Sequence, residues 1–129
     1  MILVYLSLTG NVKRFVESTN MDSVEINYSN PFIEVDSDYL IVCPTYDDDI
    51  TDLFSDFIDH KNNLEKLNGF IGSGNLNFDQ SFCFNAKDLS KKYNKPLIFT
   101  FEFSGTEKDL EEFIEEVHKV GITRTTKEI

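Results

Sequence analysis

Ile2-Leu3-Val4-Tyr5-Leu6-Ser7-Leu8-Thr9-Gly10-Asn11-Val12 opens the chain, and the reading of this stretch decides the fold. Ile2–Ser7 is a near-continuous apolar run, far too short to span a bilayer, and it reads as a strand buried on both faces. Thr9-Gly10-Asn11 breaks it. Val12, Phe15, Val16 and Thr19 then recur at helical spacing, with Asn11 placed to cap the helix they form.

The same alternation continues outward from that unit. Ser23–Ile26 is a short, weak second strand, and Asn27–Asp36 reads as a loop with Asn30-Pro31 as its breaker. Asp38–Pro44 is the next buried strand. A helix beginning near Thr51-Asp52 follows, with Leu53, Phe54, Phe57 and Ile58 on one face. Leu67–Gly72 is a fourth strand ending at Gly72-Ser73-Gly74, and Phe82, Ala86, Leu89 and Tyr93 mark a third helix. Pro96–Phe101 is the fifth strand, with its proline at the first residue, where no ladder bond is lost. Leu110, Phe113, Ile114 and Val117 stripe a last helix, whose Glu111, Glu112, Glu115 and Glu116 form a solvated face. Five buried strands alternating with helices predict an α/β three-layer sandwich around a parallel sheet, in the order 2-1-3-4-5. At 129 residues the chain fits one domain, expected over residues 1–121 with 122–129 as a polar tail.

The formal net charge of −11 argues against nucleic acid and anionic membranes as partners, because both are bound by neutralising phosphate with Lys and Arg. Met1 leads directly into the apolar run, without the basic segment and small-residue cleavage site of a signal peptide. The two cysteines, Cys43 and Cys83, lack metal-ligand or CxxC spacing. They are expected to be reduced, buried thiols in a cytoplasmic protein.

In a sheet of this order, ligands bind outside the carboxyl ends of the strands, beside the first and third. Three loops reach that place. Ser7–Asn11 puts two hydroxyls, a glycine and an asparagine before a helix, whose N-terminal amides and dipole favour a phosphate; an ordinary capped turn has the same composition. It is neither GxxxxGK[ST] nor GxGxxG. Gly72-Ser73-Gly74-Asn75-Leu76-Asn77-Phe78 offers backbone able to approach a ligand closely and amides suited to a ring edge of mixed polarity. Phe78 or Phe82 could lie on a flat heteroaromatic face or simply pack inward. In Thr45-Tyr46-Asp47-Asp48-Asp49-Ile50-Thr51, Tyr46 is a natural stacking platform. The aspartates suit either a metal or a helix N-terminus, and no histidine or further acid completes a ligand set. No nucleophile–base or acid–base pair is legible, so hydrolase chemistry has no residues to stand on.

YLSLTGNVKRFV (Tyr5–Val16), GSGNLNFDQSFCFNAKDLSKKY (Gly72–Tyr93) and FEFSGTEKDLEEF (Phe101–Phe113) resemble, in order, segments of the NrdI family. These are small flavodoxin-like flavin mononucleotide (FMN) proteins that serve class Ib ribonucleotide reductase. The similarity runs over roughly Met1 to Val120. It implies that Ser7, Leu8, Thr9, Gly10, Asn11 and Val12 hold the FMN phosphate. Thr45, Tyr46, Asp47 and Asp48 would flank the isoalloxazine ring; Ser73, Gly74, Asn75, Asn77, Phe78 and Phe82 would cover its other side and pyrimidine edge. It further implies an activator rather than a turnover enzyme. Dioxygen is reduced to superoxide or peroxide for the dimanganese–tyrosyl radical cofactor of the reductase's small subunit, and a separate reductant reloads the flavin.

Two positions depart from the family pattern. Leu76 stands where arginine or another polar residue is usual, and Tyr46-Asp47-Asp48-Asp49 stands where many members have glycines that let a peptide flip toward reduced N5. A non-Gly flip is sterically harder, and carboxylates oppose an anionic ring. A lower second reduction potential than in glycine-loop relatives is therefore expected. A generic short-chain electron-transfer flavodoxin would share the cofactor and differ in partner. A phospho-acceptor receiver domain would share the strand order, but it needs an acidic pair after strand one and a lysine after strand five, and this chain has Ser7-Leu8-Thr9 and Phe101-Glu102-Phe103 there.

Overall fold

Leu3 and Tyr5 face one side of the first strand while Val4 and Leu6 face the other, and all four are buried. Strand β1 (Ile2–Tyr5) must therefore be covered twice. The computed structural model describes residues 1–75 and 83–128, with side chains described through residue 120. Its elements alternate as expected: β1, α1 (Asn11–Ser18), β2 (Ser23–Glu25), β3 (Tyr39–Cys43), α2 (Asp48–Ile58), α3 (Asn63–Lys66), β4 (Leu67–Gly74), α4 (Phe84–Tyr93), β5 (Leu97–Glu102) and α5 (Glu107–Glu128). All strand pairs are parallel, in the order β2-β1-β3-β4-β5.

The alternation of β1 and β3 divides the core into two layers. Leu3, Tyr5, Leu40 and Val42 meet Val12, Phe15 and Val16 of α1 and Phe113 of α5. Val4, Tyr39, Ile41 and Cys43 meet Leu53, Phe54, Phe57 and Ile58 of α2 and Ala86 and Leu89 of α4. In the first layer the Phe15 ring stacks on Phe101 with centroids 3.9 Å apart, and meets the edge of Phe113 at 5.2 Å. Such pairs add roughly 0.5–1.5 kcal/mol each beyond the area they bury.

Several boundaries differ from the sequence reading, each for a local reason. Helix α2 starts at Asp48 rather than near Thr51, because the Asp47 carboxylate caps it by accepting from the Asp49 N–H at 3.1 Å. β5 begins at Leu97, one residue after Pro96, whose carbonyl still accepts from the Phe70 N–H. The polar segment expected as a tail continues α5 to Glu128, with no proline to stop it. Ile114, expected in the buried stripe, is half-exposed, and Phe113 alone of that stripe is fully buried. α3 had no hydrophobic stripe to announce it. Its Asn63 is fully buried, accepting from the Val35 N–H and donating to the carbonyls of Ile33 and Phe57, so it pins the loop between β2 and β3.

The turn from β5 into α5 depends on one glycine. Gly105 has φ +77°, its N–H donates to the Glu102 carbonyl, and a Cβ built on it would lie 2.9 Å from Phe15 Cδ1. Thr106 and Asp109 then cap α5 reciprocally, each side chain accepting from the other's backbone N–H. Gly105→Ala is expected to lower stability by roughly 1–3 kcal/mol through left-handed strain and displacement of Phe15. Denaturant unfolding of wild type and variant measures it.

Candidate functional site

Because α1 covers one face of the sheet and α2 the other, the loops leaving β1 and β3 diverge and open a crevice between them. A cleft of about 770 Å³ lies there, within the range that holds cofactor-sized ligands. Leu8, Thr9, Asn11 and Val12 line it from the first loop, and Thr45 and Tyr46 from the second. Ser73, Gly74 and Asn75 line it from the third. Pro44, Phe84 and Phe103 complete the wall without having been expected there. Asn77, Phe78 and Phe82 lie outside the described residues.

In the first loop, the helix cap is not Asn11. Gly10 occupies the N-cap position with φ +91°, and Asn11 is already the first helical residue. Asn11 Oδ1 instead accepts from the Arg14 guanidinium at 2.8 Å. Ser7 takes over the capping: its Oγ accepts from the N–H groups of Gly10 at 3.1 Å and Lys13 at 3.3 Å. Two amides therefore converge on one oxygen at the mouth of an eight-residue helix. A Cβ at Gly10 would stand 3.9 Å from Arg14 Cζ, so the guanidinium lies over the turn. Two donors and a dipole end meet at one acceptor position with a cation in the same turn, which suits an anion. The sequence reading missed Arg14.

The second loop is built around helix α2. Asp47 caps it, and Asp48 and Asp49 sit in its first turn, so all three carboxylates meet the positive end of the dipole. Among the described residues no group of three His, Cys, Asp or Glu side chains is arranged to hold a metal ion. Tyr46 is 67% exposed, free to present its ring at the cleft. Tyr28 stands nearby: partial burial first, then the Asp47 and Asp49 carboxylates and Tyr46, push its phenol above the ordinary value. The Thr45 hydroxyl donates to the Ser73 carbonyl at 2.7 Å, tying the second loop to the third.

The third loop is shaped more by packing than by ligand access. A Cβ at Gly72 would lie 2.9 Å from Cys83 Cβ and 3.0 Å from Ala86 Cβ, so this glycine admits α4 to the sheet. The sequence offered it either for close approach to a ligand or for a positive φ. The Ser73 hydroxyl donates to the Phe103 carbonyl at 2.9 Å, and the Phe103 N–H donates to the Gly74 carbonyl at 3.2 Å. These bonds hold Phe103 at φ +54°, leaving its ring 52% exposed on the cleft wall. Nothing in the sequence marks that backbone state, since phenylalanine rarely adopts it.

Comparison with known proteins bears on the family and the fold. The family model described as NrdI flavodoxin-like matches residues 3–115. Protein NrdI of Mycoplasma genitalium is 34% identical over 122 residues, taking in 86% of this chain and 78% of that protein. Protein NrdI of Wigglesworthia glossinidia brevipalpis is 35% identical over 116 residues, taking in 84% of this chain and 82% of that protein. Among solved structures, a flavodoxin of Streptococcus pneumoniae TIGR4 superposes with TM-score 0.65 at 19% identity, covering 95% of this chain and 97% of that one. A short-chain flavodoxin associated with a non-canonical PDU bacterial microcompartment gives TM-score 0.65 at 18% identity, covering 95% and 96%. These two likenesses bear on the fold.

Both cysteines are buried free thiols, as expected. Burial pushes Cys83 up to about 11, against smaller pulls from the Thr45 hydroxyl and Lys87, and holds Cys43 well above its ordinary value. A group whose pKa is raised on folding contributes stability that is present below the unfolded value and lost as pH rises through the folded one. Denaturation midpoints are therefore expected to fall between about pH 9 and about pH 11. The fall should be smaller in Cys83→Ala.

Proposed function

This chain belongs to the NrdI flavodoxin-like family, and we propose that its cleft binds FMN in the service of class Ib ribonucleotide reductase. The observation that carries the proposal is the convergence of the Gly10 and Lys13 N–H groups on one oxygen in the turn that borders the cleft, with the Arg14 guanidinium beside Gly10. A phosphate oxygen can take the place of Ser7 Oγ there, with the Ser7 and Thr9 hydroxyls as further donors. The residues present fit the group: the cleft has the volume for a flat ring, and Tyr46 and Phe103 offer exposed aromatic side chains on its wall. Asn75, with Asn77 as a candidate beyond the described residues, would meet the polar ring edge.

Bound FMN would supply electrons that reduce dioxygen to superoxide or peroxide, delivered to the radical-bearing small subunit for assembly of its dimanganese–tyrosyl radical cofactor. The chain's own part is to grip the phosphate, keep the ring oriented and present an acidic, aromatic rim around Tyr28, Tyr46 and Asp47–Asp49. No helix among the described residues is long and apolar enough to cross a membrane.

Two measurements test this. Titration of the protein into FMN should quench flavin fluorescence, and riboflavin, which lacks the phosphate, should bind much more weakly. Tyr46→Ala should weaken FMN binding by about 1 kcal/mol, roughly fivefold, through loss of ring contact. Equal affinity for FMN and riboflavin would sink the phosphate assignment. The reduced, FMN-loaded protein should restore radical formation in a manganese-loaded small subunit under oxygen. A simple electron carrier would only shuttle electrons.

A further inference from the structure

Asn85 lies in the first turn of α4, is fully buried, and belongs to none of the cleft walls. Its amide makes three bonds to a segment almost forty residues away in sequence. Oδ1 accepts from the Tyr46 N–H at 2.9 Å. Nδ2 donates to the Asp47 carbonyl at 2.8 Å and to Thr51 Oγ1 at 3.1 Å. Exchanging the two ends of the amide would set donor against donor at Tyr46 and acceptor against acceptor at Asp47, so the partners themselves fix its orientation. The three partners, two in the second loop and Thr51 in α2, are satisfied together in the backbone arrangement of this structure. In it the Tyr46 N–H and the Asp47 carbonyl both turn toward the buried amide.

We propose that Asn85 is a positioning residue that locks the second loop, presenting Tyr46 to the cleft and withholding the Asp47 carbonyl from a ligand bound there. The proposal rests on the FMN reading and adds to it the control of the flavin's potential. A loop peptide that turned the Asp47 carbonyl to accept a hydrogen bond from a reduced ring would break its bond from the buried Asn85 Nδ2 and take the acceptor from the Ile50 N–H, losses that are costly in the interior. The lock therefore favours the oxidised ring relative to the reduced one. The triple aspartate adds like charge to the same bias, and Asp47 also ties the turn to its own helix, its carboxylate accepting from the Asp49 N–H and its carbonyl from the Ile50 N–H; Asn85 adds the tie from outside that helix.

The test compares wild type, Asn85→Ala and Thr51→Val by hydrogen exchange of the Tyr46 amide and by redox titration after reconstitution with FMN. In Asn85→Ala, the Tyr46 amide should exchange about fivefold faster or more. The midpoint potential should move positive, corresponding to reduced FMN gaining at least about threefold in affinity relative to oxidised FMN. Thr51→Val removes only the outer bond and should leave both readings near wild type. If Asn85→Ala does not fold, Asn85→Ser is read in the same way. An unchanged potential with accelerated exchange overturns the proposal, as does unchanged exchange at Tyr46. So does a Thr51→Val protein that shifts the potential as far as Asn85→Ala, since the helix start and not the loop peptide would then be responsible. A wild type that leaves FMN fluorescence unquenched would overturn the functional reading, while faster Tyr46 exchange in Asn85→Ala would still establish the lock.

Discussion

Burial of β1 and β3 on both faces is the constraint from which the rest of the molecule follows. A strand with apolar side chains on each side needs two covering layers, and two neighbouring strands can feed both layers only if their helices leave in opposite directions. α1 goes to the Phe15–Phe113 layer and α2 to the Phe54–Phe57 layer. The crevice between their N-termini is thus a by-product of filling the core. Both helices point their positive ends at it. One end meets a hydroxyl and a neighbouring guanidinium, the other three carboxylates, so the two sides of the cleft differ in charge although they share an architecture.

The connections on either side of β3 are held by interior amides as well as by apolar contacts such as that of Val35. Asn63 and Asn85 are both fully buried, and each satisfies backbone groups of a loop distant in sequence. Asn63 serves the loop before β3 and Asn85 the loop after it, so the third strand is fixed at both ends by a side chain from another part of the chain. A buried amide is tolerated only when its donors and acceptors are all met, which makes it more exacting about backbone direction than a methyl group would be. Gly72 complements this arrangement by letting Cys83 and Ala86 close on β4, bringing α4, and with it Asn85, within reach.

The sheet was legible because apolar runs such as Ile2–Leu6 and Tyr39–Cys43 report double burial directly, and the order of strands follows from connection rules. The mouth of the cleft was legible because Ser7–Asn11, Thr45–Thr51 and Gly72–Asn75 interrupt those runs with turn chemistry. What escaped has a common cause. Asn85 looks like one more polar residue on an amphipathic helix, and its burial emerges only once α4 rests against α2. Phe103 enters the cleft through a left-handed backbone that no pattern announces. Ser7 was singled out for its hydroxyl, yet the groups it satisfies lie three and six residues ahead, a distance set by the turn at Gly10.

That Ser7 hydroxyl bears on how the turn discriminates. The amides of Gly10 and Lys13 already have an oxygen to bond, so an incoming acceptor exchanges one hydrogen bond for another and the count is unchanged. What an arriving group would add, beyond bonds from the Ser7 and Thr9 hydroxyls, is its ionisation, felt by the helix dipole and by Arg14 and absent from a neutral hydroxyl. A ligand held at this turn would thus be sorted by formal charge more than by shape, and dissolved salt, which screens charge and leaves shape untouched, would blunt that sorting.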